Sequence, residues 1–402
     1  MKKFSQLLIT LACVFSALGL HAEPVSSSVV WQAWLDSPGG KLNFGLEVSG
    51  SNAWIVNGDE KIEVVEFRQN EEEMYLGFPH YDSSITATWN ASAHQYDGIY
   101  RKRRGPDLYT EMNFHATDRP ADKVDSECET DAFSGRWLVN FDSDDKDSVG
   151  VFSQSGQSAS GTFLNATGDY RFLSGTATCK KMTLSCFDGA HAFLFNAELD
   201  ESGEIRGDFW SSGSWHEEWT ATRDDNAQLP DAFAETSWQE GSELASFRFP
   251  DLTGEMRSLN DPQFQGKARI IYVFGSWCPN CHDATEFLVE LSHEYADKGL
   301  SILGLAFEVT GDFERDSKQV KRYVDRHDVP YPVLVAGLAS KDKASQALPF
   351  LDRVRSYPTT IFLDQDGQVQ AIHTGFTGPA TGAEYAQLRT KFKRIIEQIL
   401  DQ

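Results

Sequence analysis

Two regimes of hydrophobic patterning divide the chain. Residues 23 to 228 alternate apolar and polar positions over short runs: KLNFGLEV, KIEVVEF, SITATW, RWLVNF, HAFLFNAEL and EIRGDFW. Clusters of Gly, Asn, Asp and Ser such as NGDE, SQSGQSASG and DESGE separate them. A period of two broken by turn residues predicts antiparallel strands joined by hairpins, about eight to twelve of them. The expected fold of this part is an all-β antiparallel domain, barrel-like or a sandwich. An internal echo fits a duplicated β unit within one barrel-like domain. EMYLGF (73–78) pairs with KMTLSCF (181–187), YDGIY (96–100) with IRGDFW (205–210), and HATD (115–118) with TATRD (220–224). Eight tryptophans of this part read as core and cross-strand fillers. The basic cluster Arg101-Lys102-Arg103-Arg104, ahead of Gly105-Pro106, reads as a solvated loop.

A connecting stretch rich in charge follows at 229–244, and from 245 to 402 the period changes. RIIYVFGSW (269–277) is a continuous apolar strand of the kind buried inside a sheet. Cys281, Ala284, Leu288, Leu291 and Tyr295 then recur at helical spacing. LSILGLAFE (300–308) is a second buried strand and SKQVKRYVDRH a second helix. YPTTIFLDQDGQVQAIHTGF makes two strands about an Asp-Gly turn. YAQLRTKFKRIIEQIL closes as an amphipathic helix. The order predicts an α/β domain, an open mixed sheet with helices on both faces.

The ends and the charge narrow the setting. Lys2 and Lys3, the apolar run Leu7 to Leu20 and Leu20-His21-Ala22 predict a secretory signal over 1–22 that takes Cys13 with it. The expected location is outside the cytoplasm, in the bacterial periplasm. A formal net charge of −24 argues against nucleic acid or anionic lipid as a partner. Outside the cytoplasm thiols can oxidise and stay oxidised. Cys128 and Cys179, or Cys179 and Cys186, can pair there. In the hairpin around Lys180-Lys181, Cys179 would face Met182, which makes the second pairing less natural. One of the three is expected to stay a buried thiol.

The densest chemistry is SWCPNCH, residues 276–282. Alone it is compatible with a redox dithiol, a covalent haem site (Cys-x-x-Cys-His) or half a zinc site. Cys278 falls where the strand ends and the helix begins. Its sulfur would face unpaired N–H groups at the positive end of the helix, which favours thiolate, the attacking species in disulfide exchange. Pro279 gives up an N–H that the first turn does not use. Cys281, one turn on, would be the buried resolving thiol.

A buried strand ending in Trp-Cys-x-x-Cys, a following helix, and a Pro-Thr-Thr entering a strand some 80 residues later resemble the thioredoxin fold. SFRFPDLTGEMRSLND, GSWCPNCH and YPTTIFLDQDGQV resemble, more narrowly, the exported thioredoxin-like disulfide reductases of the TlpA and ResA type, over about 240–402. SCFDGAHAFLF and GDFWSSGSWHEEWTATRD are similar to the β domain that precedes some bacterial TlpA-like proteins. The resemblance implies a Cys278–Cys281 redox disulfide, a cis Pro358 against the dithiol, and Trp277, Pro279, Tyr357 and Pro358 as substrate contacts. It implies that Glu308 takes the Cys281 proton, since Tyr272 stands where thioredoxin carries an aspartate. It implies protein disulfide substrates, a membrane thiol donor of the DsbD or CcdA type, and no cofactor.

On this reading haem and zinc fall away. The motif opens a helix directly after a buried strand, leaving no room for a porphyrin, and no second Cys-x-x-Cys completes a zinc site. His282 becomes a neighbour that tunes Cys278. The thiol-peroxidase environment P-x-x-x-[TS]-x-x-C is absent. The remaining alternative is a non-enzymatic envelope protein whose β domain binds a partner or ligand.

Overall fold

The computed structural model describes residues 28–119, 131–144, 146–239 and 247–401. The expected signal at 1–22, Cys13, Cys128 and positions 240–244 of the connecting stretch lie outside the described residues.

The N-terminal part is all β. Nine strands between Val29 and Thr117 form one antiparallel sheet, in which each strand pairs with a sequence neighbour and the first also pairs with the last, Gln32 opposite Thr117. This sheet stays open between Glu60–Glu63 and Glu66–Gln69, and is a half-barrel. A second set of nine strands, from Gly135 to Arg223, closes. Gly135–Phe141 pairs with Trp215–Arg223, and Ser148–Ser155 pairs with Ser158–Asn165, completing a ring. Aromatic side chains fill it: Trp137, Phe163, Phe195 and Trp219 are all 1% exposed or less.

The echoed segments are counterparts. Glu73–Phe78 and Lys181–Phe187 are each the fourth-last strand, in chain order, of their set of nine. Gly98 and Gly207 face the same constraint in each copy: a Cβ would lie 2.2 Å from Thr86 O and 2.4 Å from Asn196 O. Only glycine lets the strands approach so closely. The two units, however, build two packed sheets rather than one barrel and, among the described residues, eighteen strands rather than eight to twelve. Strands such as Ser158–Asn165 and Leu173–Ala177 carry Ser and Gly where an alternating apolar pattern would show. The sheets join through Phe187, Ala190, Ala192 and Leu194, which leave the barrel to pack in the half-barrel core.

The hairpin after Leu173–Ala177 pairs Ala177, not Cys179, with Met182. Cys179 is disulfide-bonded. Its partner is not Cys186, which is a buried free thiol.

The C-terminal part is a five-stranded sheet, β1 Ala268–Phe274, β2 Leu300–Glu308, β3 Val333–Leu338, β4 Thr359–Leu363 and β5 Val369–Thr374, with helices α1 Pro279–Tyr295, α2 Phe313–Arg326, α3 Lys341–Ala347 and α4 Ala383–Leu400. The order across the sheet is β3-β2-β1-β4-β5; β1, β2 and β3 are parallel, β4 is antiparallel to β1, and β5 is antiparallel to β4. All seven residues of β1 are buried, as a central strand with both faces covered requires. Strand β3 and helix α3 add to the expected order; both are short and carry little periodicity. No described helix is long and apolar enough to cross a membrane.

Candidate active site

Strand β1 delivers the chain to the start of α1, and the dithiol sits on that junction. Cys278 is the N-cap of α1, in extended conformation, and its sulfur accepts a hydrogen bond from Cys281 N at 3.3 Å. Pro279 occupies the first turn. Any negative charge on the Cys278 sulfur therefore faces the helix's unpaired N–H groups. The thiol also reaches Tyr357 O at 3.5 Å, and the Tyr357–Pro358 peptide is cis. Cys281 is fully buried. Burial pushes its thiol well up, and neighbouring Cys278 adds to the effect. The hydroxyls of Tyr272 and Tyr323 both donate to Cys281 O, at 2.7 and 2.8 Å. Trp277 donates its indole N–H to Phe307 O at 2.9 Å and meets Tyr357 edge-on. Both cysteines are free thiols here.

Glu308, at the end of β2, is 1% exposed and accepts two bonds from Ser276, from the main-chain N–H at 2.9 Å and the hydroxyl at 2.8 Å. Burial pushes its carboxyl up to about 7, although both Ser276 bonds favour the charged form. The fold therefore holds this proton more tightly than the unfolded chain. The associated stability is full below the ordinary value of 4.5 and is lost as pH rises through about 7. Glu308→Gln is expected to remove up to roughly 3 kcal/mol of that pH-dependent loss. Urea midpoints of the two proteins between pH 4 and 8 measure it; parallel curves would contradict the assignment.

His282 does not face the dithiol. Its Nδ1 meets His327 Nε2 at 2.6 Å, its Nε2 meets Ser276 O at 2.9 Å, and its ring packs between Tyr81 and Tyr323. Burial drives it well below its ordinary value, so it is neutral and brings no charge to Cys278. The expected tuning role is thus corrected.

The β region supplies contacts that the sequence pattern did not assign. Asn280 Nδ2 donates to Asp169 O at 3.2 Å, and Ser356 Oγ to Thr167 O at 3.3 Å, so one barrel turn touches both the start of α1 and the Pro358 loop. Arg171 joins Glu60, Asp188 and Asp283. Gln319 of α2 donates to the carbonyls of Pro79 and His80, each at 2.9 Å. The basic cluster is not a solvated loop. Arg101 to Arg103 end the strand Gln95–Arg103, and Lys102 is buried. Its inward direction was readable, because Lys102 continues the period-two face of Tyr96 and Tyr100.

Comparison with known proteins fits this geometry. The Redoxin family profile matches residues 239–388. A thioredoxin-like protein, YneN of Bacillus subtilis, is 33% identical over 141 residues, covering 35% of this chain and 75% of that one. The chain belongs to the Redoxin family. It is an oxidoreductase, and its Redoxin domain is also similar to the thiol-disulfide oxidoreductase ResA of Halalkalibacterium halodurans, 26% identical over 135 residues, 34% of this chain and 68% of that one. Among solved structures, a putative thiol:disulfide interchange protein DsbE from Chlorobium tepidum is 18% identical, covers 40% of this chain and 99% of its own, and has a TM-score of 0.31.

Proposed function

We propose that this oxidoreductase reduces protein disulfides outside the cytoplasm. The observation that carries the reading is the pairing of a helix-capping Cys278 with a fully buried Cys281 one turn later. The Cys278 thiolate attacks one sulfur of a substrate disulfide. The substrate S–S bond breaks, a mixed disulfide forms, and one substrate thiolate leaves. Cys281 then loses its proton, attacks the Cys278 sulfur and expels the second substrate thiolate. The substrate gains two electrons, and the enzyme ends with a Cys278–Cys281 disulfide that a thiol donor reduces again.

Glu308 is the proposed proton acceptor. Burial pushes the hydroxyl of Tyr357 up, and the charges of Cys281, Cys278 and Glu308 add to the effect. Trp277, Pro279, Tyr357 and Pro358 are the proposed substrate-facing residues. In this scheme 1–22 direct export, 23–228 form the β part, 229–244 connect, and 245–402 carry the redox chemistry. A membrane thiol carrier of the DsbD or CcdA type is the proposed donor. Insulin reduction by the full chain tests the reading. Wild type turns over repeatedly and Cys278→Ser falls to the background rate; equal rates would remove the proposal.

A further inference from the structure

Lys102 belongs to the β region, yet it ends at the redox motif. It is 4% exposed. Among the described residues its ammonium makes two hydrogen bonds, both to main-chain carbonyls: Ala190 O at 3.1 Å and Trp277 O at 3.5 Å. Trp277 is the residue immediately before Cys278. No described carboxylate lies within ion-pair distance of this cation. A buried ammonium without an anion beside it is costly, and such groups are normally paired. An anion does arise at this place whenever Cys278 ionises.

We propose that Lys102 is the counter-charge of the Cys278 thiolate, a positioning residue supplied by the β region to the dithiol of the Redoxin domain. The proposal rests on the dithiol reading above. The helix N-terminus already favours a negative sulfur, and a buried cation adds to it through low-dielectric surroundings where charges are screened little. The bond to Trp277 O also fixes the main chain that leads into Cys278.

The surroundings of Lys102 agree. Burial brings its ammonium down to about 8, and Arg104 adds to that, while Asp188, Cys278 and Asp82 pull it back up. His191, in turn, feels the Lys102 charge. These are the ionisable groups that face it from the half-barrel, the barrel and α1. At neutral pH the group is mostly charged. The coupling is reciprocal: what Cys278 does for Lys102, Lys102 does for Cys278.

The test uses the full chain. Ultraviolet thiolate absorbance against pH is recorded for wild type, K102M, K102R and the exposed control R101M. The expected result is a K102M profile displaced to higher pH, with about tenfold less thiolate at neutral pH, and near-wild-type profiles for K102R and R101M. Destabilising the thiolate destabilises the reduced dithiol. The equilibrium constant with glutathione should therefore shift about tenfold toward the disulfide, which is about 30 mV toward more reducing potential.

Should K102M not fold, wild type alone supplies the reciprocal measurement. Lys102 should be acylated severalfold faster at neutral pH when the dithiol is oxidised than when it is reduced. Profiles that coincide for wild type and K102M, or equal acylation in the two redox states, overturn the proposal. A shifted K102M profile in a protein that never reduces insulin supports the charge pairing and removes the reductase reading instead.

Discussion

Cys281→Ala is expected to end turnover and to leave the enzyme covalently joined to its substrate. The reason lies in the division of labour at the start of α1. Cys278 keeps its cap position, its contact with Tyr357 O and the positive end of the helix, so attack on a substrate disulfide is unaffected. In the proposed mechanism Cys281 resolves the intermediate; its thiol is fully buried, 0% exposed, one turn after Cys278. With alanine there, the second displacement has no nucleophile. The substitution is small and apolar in an apolar setting, so the fold should survive it. A non-reducing gel of the variant incubated with a disulfide-bearing protein should show a stoichiometric adduct that dithiothreitol releases. The Cys278→Ser,Cys281→Ala double variant should show none. An adduct on the double variant, or none on the single one, places the nucleophile elsewhere.

Arg171→Leu is expected to cause the largest loss of stability among single substitutions. Arg171 is 6% exposed and holds a left-handed backbone conformation, φ 66°, unusual for a residue other than glycine. Its guanidinium binds Glu60 of the half-barrel at 2.9 Å, lies 3.5 Å from Asp188 of the barrel, and binds Asp283 of α1. One cation thus serves three carboxylates, Asp188 buried and Glu60 and Asp283 partly buried, drawn from all three parts of the structure. Burial raises Asp283 to about 7 and raises Glu60, even with Arg171 present. Burial also acts to raise Asp188, but His191 and Arg171 hold it well below the usual carboxylate range. Removing the cation strands these charges, a loss of about 3–5 kcal/mol for a broken buried pair.

The sign of its pH dependence follows from the two raised groups. The fold binds their protons more tightly than the unfolded chain does, so the stability they contribute is present at low pH. For Asp283 it disappears between its ordinary 3.8 and about 7. Arg171→Leu should therefore lose least near pH 5 and most near pH 8. Urea midpoints of the full chain at both values measure it. A loss under about 1 kcal/mol, equal at the two pH values, would contradict a hub role.

The redox half was legible because its signals are local and independent. A five-residue apolar run, Ile270–Phe274, a Cys-Pro-Asn-Cys at the next helix start and a Pro-Thr-Thr before another apolar run all point to one fold. The β half was less legible for a physical reason. Its strands take their apolar faces from cross-strand partners, so Ser158–Asn165 shows little pattern by itself. The hairpin register at Cys179 depended on a turn longer than the two lysines suggested. Arg171 gave no local sign, since two of its three carboxylate partners lie 111 and 112 residues away. Lys102 did give one, the inward phase of Tyr96 and Tyr100, but it was masked by the three arginines beside it, whose charge suggested solvent for the whole cluster.

The most direct measurement of the central claim is the equilibrium potential of the Cys278–Cys281 pair, titrated against glutathione in the full chain. A reductase of protein disulfides must lie below its substrates, toward the thioredoxin end of the scale at about −270 mV. A value more negative than about −200 mV is expected; a value of about −120 mV, that of a strong dithiol oxidant, would rule out a reductase.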